Sequence, residues 1–123
     1  MKVFLKKRIE SFKYAFNGLK ILIVNEHNAR IHMAVAIIVI ITGILLKLSA
    51  TEWIIVAICI SGVFTVELIN TAIETISDFI SPGKHDMIKK IKDLSAAAVL
   101  VWAFATAIIG LIIFLPKLIV IFS

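Results

Sequence analysis

Apolar residues fall into three long runs, with polar residues gathered between them. The first run extends from Ile31 to Leu46, interrupted only by His32, Thr42 and Gly43. The second opens at Trp53 and meets no charge before Glu67, and the third, Leu94 to Leu115, carries none over 22 residues. Crossing the hydrocarbon takes about 20 helical residues, so the third run predicts a spanning helix outright. The first suffices if Lys47 extends its ammonium to the interface. The second suffices only if its helix continues past Glu67. The segment ELINTAIETISDFI (67–80) permits this, since helix formers and apolar residues separate its polar positions and no proline occurs before Pro82. A helix from Trp53 to Ile80 is roughly 42 Å long, enough to cross the bilayer and project beyond it. Upstream, Phe4, Leu5, Phe12, Phe16, Leu19 and Ile23 recur at spacings near three and four, with lysines between them. This spacing predicts an amphipathic helix in the membrane interface. No internal repeat or linker breaks the chain. The expected architecture is an all-α integral membrane protein with one domain over residues 1–123: a surface helix over about 1–24 and spans over about 29–48, 52–80 and 90–116.

Composition agrees with lipid as the main solvent. The chain is 61% hydrophobic and 17% charged, with a mean hydropathy of +1.08. A soluble domain of 123 residues exposes too much surface to hide that much apolar side chain. Few glycines and prolines and a single cysteine, Cys59, exclude disorder and a disulfide scaffold. The opening MKVFLKKRIESFKYAF is basic and amphipathic, and is not expected to be a cleaved signal. The net charge of +5 does not point to nucleic acid. The cations form two clusters beside apolar runs, which suits an anionic membrane leaflet. Lys2, Lys6, Lys7, Arg8, Lys13, Lys20 and Arg30 precede the first run, and Lys84, Lys89, Lys90 and Lys92 separate the second from the third. Only Lys47 and Lys117 lie on the other side, so the positive-inside rule predicts a cytoplasmic N-terminus and an external C-terminus.

The second run carries the candidate chemistry. Glu67, Asn70, Glu74 and Asp78 fall at about 0°, 300°, 340° and 20° around a helix, so they share one face. A carboxylate facing lipid costs several kcal/mol, so this stripe must face protein, water or a cation. A plain structural role competes for Asn70, as an interhelical hydrogen-bonding group, and for Asp78, as an interfacial charge. It competes poorly for Glu67 and Glu74 together. Two such acids can hold Mg²⁺ jointly with nucleotide phosphates, and a carboxylate near the surface can accept a proton from a lipid hydroxyl. Glu26 before the first span and Lys92-Asp93 before the third bring further charges to the same layer. That combination suits phosphoryl transfer. Glycine-rich phosphate loops, zinc spacings and a Ser-His-Asp set are all missing. His27, His32 and His85 lie near the cytoplasmic side and are by default interfacial polar residues; only His85, after the stripe, rises above that.

Several segments then resemble one family. VELINTAIETISD (66–78), His85, KDLSAAAVL (92–100) and NEHNARIH (25–32) are similar to the prokaryotic diacylglycerol kinases, small membrane lipid kinases, over about Lys6 to Lys117. The resemblance implies a homotrimer in the bacterial inner membrane, with ATP and Mg²⁺ and with active sites shared between subunits at the cytoplasmic interface. It implies Glu67 as the general base and Glu26 and Glu74 as Mg²⁺ ligands. Nucleotide contacts would fall on Lys7 or Arg8, Tyr14, Glu26, Glu74, Gly83, Lys84, His85, Lys92 and Asp93. Lipid contacts would fall on Asn28, Arg30, His32, Glu67 and Asn70. The loop Pro82-Gly83-Lys84 departs from other members, which favours backbone contacts there. NEHNARIH, LSATEW (48–53) and GLIIFLPKL (110–118) are more similar to the branch that phosphorylates undecaprenol than to the diacylglycerol branch.

Two rival readings fit less well. A small multidrug exporter also uses a membrane-embedded acid, but has four spans and places that acid in the first. A pore-forming or assembly protein would rest only on small residues such as Ala96-Ala97-Ala98 and Gly110, which permit close helix packing. Neither explains why acids from separate segments share one layer.

Overall fold

The computed structural model describes all of residues 1–123. It contains four helices: α1 (Lys2–Asn25), α2 (His27–Leu45), α3 (Ala50–Ile80) and α4 (Asp86–Phe122). The last three are each long and apolar enough to cross a membrane. Large aliphatic and aromatic side chains stay exposed along all three, an outer surface that water would not tolerate. In α1 only Leu22 is buried.

The helix ends differ from the expected ranges, each for a local reason. α2 starts at His27 and stops at Leu45, not near residue 48, because Leu46 and Lys47 turn the chain. Leu48 N–H donates to the Gly43 carbonyl at 3.1 Å, and Lys47 adopts a φ of 56°. Lys47 thus occupies a left-handed turn position, uncommon for a residue with a Cβ, and does not extend the first span. α3 begins at Ala50 because Ser49 caps it. The Ser49 hydroxyl accepts from Glu52 N–H at 3.2 Å, while the Glu52 carboxylate accepts from Ser49 N–H at 3.0 Å. This reciprocal pair satisfies two backbone donors that the first turn would otherwise leave free. α4 begins at Asp86, where His85 Nδ1 accepts from Met87 N–H at 3.1 Å. It then runs past residue 116 to Phe122 with Pro116 inside it. A proline removes one helical donor, a loss that membrane helices accommodate.

α3 packs mainly on α4, antiparallel and tied at four levels. At one end Lys117 Nζ lies 3.2 Å from Glu52 Oε1. Further along, Trp102 Nε1–H donates to the Cys59 carbonyl at 3.1 Å. Beyond that, Ser95 Oγ donates to Asn70 Oδ1 at 2.6 Å. At the other end Lys92 pairs with Asp78. Gly62 permits the tight middle level, since a Cβ there would fall 2.0 Å from the Trp102 ring. Within lipid, hydrocarbon contact gives helices little reason to associate, so small residues and interhelical hydrogen bonds carry the pairing.

Gly62→Ala is therefore expected to push the indole out of its slot and destabilise the protein by about 1–3 kcal/mol, the usual cost of overpacking. Thermal unfolding in detergent measures this. An unchanged Tm would mean that α3 and α4 are less closely apposed at this level.

Candidate active site

The site is assembled where α1, α2 and α3 meet and where α4 begins. α1 gives way to α2 at Glu26, whose extended backbone (φ −106°, ψ 113°) serves as C-cap of the first helix and N-cap of the second. Its carboxylate is half-buried and caps no backbone group, which leaves it free for other partners. Arg30 NH1 donates to the Val24 carbonyl at 2.9 Å, a strap across the break.

On α3, Glu67 lies about 26 Å from the Ala50 end and is only 2% exposed. His32 of α2 faces it, with Nε2 3.2 Å from Glu67 Oε1. That is ion-pair distance, although Oε1 has no well-aligned hydrogen-bond donor. The charges of Glu26 and Glu74 are also within electrostatic reach of Glu67. Of the three carboxylates, Glu67 is the one in contact with the imidazole. One turn beyond Glu67, the Thr71 hydroxyl is likewise buried without a partner. An orphaned polar atom in a buried position costs about 1–3 kcal/mol.

Asn70 links this cluster to α4. Its Oδ1 accepts from Ser95, and its Nδ2 donates to Glu74 Oε1 at 3.4 Å. Asn70 is thus the interhelical hydrogen-bonding group that a structural role requires, and it also touches an acid. Asp78 holds Lys92, which anchors the start of α4 beside the stripe. Lys89 Nζ lies 2.6 Å from Asp93 Oδ2, and both side chains are well exposed. In the intervening loop the Ser81 hydroxyl donates to the Gly83 carbonyl at 3.4 Å. His85 spends Nδ1 on the α4 cap, so only its Nε2 faces outward chemistry. Lys84 makes no ion pair. A shallow polar depression follows the loop, lined by Asp78, Gly83, Lys84, His85, Lys92 and Asp93.

The residues expected to bind on α1 remain outside this network. Arg8 stacks over Phe4 at 4.8 Å, Tyr14 is exposed, and Lys7 offers only its carbonyl, to Ser11 Oγ. Asn28 is exposed in the first turn of α2. The structure thus brings together Glu26, His32, Glu67, Asn70 and Glu74, with Lys92 alongside. It adds Ser95 and Thr71, which the sequence reading passed over. Thr71 falls at about 40° on the same helical face as the stripe, a signal that the sequence carried. Nothing marked Ser95 among the alanines that follow it.

No three His, Cys, Asp or Glu side chains close into a metal cage. Mg²⁺ does not require one. It usually takes one or two carboxylates and completes its shell with water and phosphate oxygens, and Glu26 and Glu74, each half-buried and offering only oxygen, have the donor chemistry for that.

An apolar groove of about 170 Å³ begins at His32 and runs between α2, α3 and α4. Its walls include Ala36 and Val39 of α2, Val63 and Phe64 of α3, and α4 from Ala103 to Phe114. That stretch of α4 is about 16 Å long, roughly half the hydrocarbon thickness. His32 and Thr106 are the polar residues in its lining.

The chain is similar to known proteins over most of its length. Residues 13–114 match the family model described as prokaryotic diacylglycerol kinase. The chain is 44% identical over 114 residues to undecaprenol kinase of Bacillus subtilis, covering 93% of each protein. It is 36% identical over 109 residues to a diacylglycerol kinase of Synechocystis, covering 88% of this chain and 62% of that one. Against a diacylglycerol kinase of Haemophilus influenzae the identity is 32% over 104 residues, covering 85% and 86%.

The loop geometry yields a simple check. Gly83 has no positive φ, and a Cβ there would meet nothing within 4 Å. Gly83→Ala is therefore expected to leave Tm in detergent unchanged or to raise stability by up to about 1 kcal/mol, by restricting the unfolded chain. A clear loss of stability would reveal a backbone demand at this position.

Proposed function

The chain belongs to the prokaryotic diacylglycerol kinase family and is a membrane lipid kinase, and we propose that the lipid it phosphorylates by preference is undecaprenol. One observation carries this reading: a buried carboxylate oxygen without a donor, Glu67 Oε1, lies beside the His32 end of a groove lined by hydrocarbon. The ligand that answers both features has a single hydroxyl on a long apolar chain. Diacylglycerol also brings two ester carbonyls, which gain little from walls with so few polar groups. The 44% identity to an undecaprenol kinase supports the same choice.

In this mechanism the acceptor hydroxyl donates to Glu67 Oε1. As its oxygen bonds to the γ-phosphorus of ATP, the O–H bond breaks toward Glu67 and the bond from phosphorus to the β-bridging oxygen breaks, releasing ADP. Burial of Glu67 excludes bulk water, which would otherwise compete as acceptor. His32 holds the Glu67 side of the pocket. Glu26 and Glu74 would hold Mg²⁺, which when bound neutralises phosphate charge. Lys7 or Arg8, Tyr14, the Gly83-Lys84-His85 loop, Lys92 and Asp93 contact the nucleotide, while Asn28, Arg30 and Asn70 border the lipid headgroup. The molecule acts as a homotrimer in the inner membrane, with α1 as an amphipathic helix on the cytoplasmic surface and sites completed between subunits.

Two measurements test this. Glu67→Gln is nearly isosteric but takes no proton, so turnover should fall by roughly 10²–10⁴ with folding intact. Near-normal turnover would remove Glu67 from the role of base. In mixed micelles, kcat/KM should be about tenfold or more higher for undecaprenol than for diacylglycerol, the scale on which apolar pockets discriminate. A preference for diacylglycerol would overturn the acceptor assignment and leave the kinase standing.

A further inference from the structure

Ser95 is 8% exposed and sits on α4, three residues after Lys92 and opposite the acidic stripe of α3. Its hydroxyl donates to Asn70 Oδ1 at 2.6 Å, and Asn70 Nδ2 donates to Glu74 Oε1 at 3.4 Å. The direction of this chain is set at its far end. A carboxylate only accepts, so Asn70 must turn its NH₂ toward Glu74 and its oxygen toward α4. Something on α4 must then donate to that oxygen, and Ser95 does. Without it the amide oxygen would be an unpaired acceptor in a part-buried interface, and the side chain would gain by rotating toward water. Glu74 would then lose its one hydrogen-bond donor. With the chain intact, one oxygen of Glu74 is tethered and the other accepts no hydrogen bond. The Lys92–Asp78 pair on the next turn fixes this part of α4 against α3, so the hydroxyl is held in register.

We propose that Ser95 is a positioning residue that orients the Glu74 carboxylate through Asn70 so that its free oxygen is presented to a divalent cation. This rests on the reading of Glu74 as a Mg²⁺ ligand. Partners one shell out from a metal typically change affinity by 10–100-fold when removed, and Ser95 stands one step further away.

The test uses the full-length protein in detergent with Mn²⁺ as probe. Binding is read from the free-ion EPR signal in the presence of the β,γ-imido analogue of ATP. Ser95→Ala should weaken Mn²⁺ binding by about tenfold, the lower end of that range. It should also raise the Mg²⁺ concentration needed for half-maximal turnover. Glu74→Gln should weaken Mn²⁺ binding at least as much. Where Ser95→Ala does not fold, Ser95→Cys keeps the volume, replaces a strong donor with a weak one, and should show the same loss. Wild-type Mn²⁺ affinity in a folded Ser95 variant, with Glu74→Gln impaired, would overturn the positioning role. So would a lower Tm without any change in Mn²⁺ affinity. If Glu74→Gln also bound Mn²⁺ normally, the metal reading would fail, and the proposal with it.

Discussion

The antiparallel pairing of α3 with α4 is the constraint on which the rest of the molecule depends. Hydrophobic burial cannot supply it in a lipid environment, since a leucine is as well solvated by acyl chains as by a neighbouring helix. What remains is specific: an ion pair at each end, an indole donating to a carbonyl over a glycine, and a serine bonded to an asparagine. Each rung joins one residue of α3 to one of α4. Sliding by a single turn would break them all together. Register is therefore set far more sharply than apolar packing alone would set it, and the acids of α3 inherit that precision.

The same constraint explains why so polar a stripe is tolerated in a spanning helix. Asn70 and Asp78 are paired across the interface. Glu74 touches Asn70, and Glu67 is turned inward against His32 of α2. Charge that would be costly against lipid is gathered into one inward-facing layer, with the groove opening from its edge. The exposed apolar surface of α4 has no partner within the chain, in keeping with a protein that meets lipid or further helices on that side.

Much of this was legible in the sequence because two periodicities were enough to read it. Long uncharged runs defined the three spans, and residues three and four apart placed Glu67, Asn70, Glu74 and Asp78 on one face. What periodicity cannot say is which neighbour that face meets. Hence the His32–Glu67 contact and the role of Ser95, one hydroxyl beside three alanines, emerged only from the fold. Helix ends are set by local turns that periodicity does not describe. The S-x-x-E signal at Ser49 and Glu52 marks the start of α3, whereas a left-handed Lys47 and a helix running on through Pro116 contradict local preference. His85 is likewise seen only in the fold to spend Nδ1 on the α4 cap, which leaves Nε2 for other partners.

Placing an acid at the junction of two helices has a mechanical consequence. Glu26 sits at the fulcrum of a lever whose arm, α1, is about 36 Å long. A swing of about 10° about that joint would carry the far tip through about 6 Å while displacing the Glu26 backbone hardly at all. The buried Leu22 and the Arg30 strap lie close to the pivot, where they oppose rotation with the least leverage. The outer turns of α1 can therefore shift while the carboxylate at the hinge keeps its station.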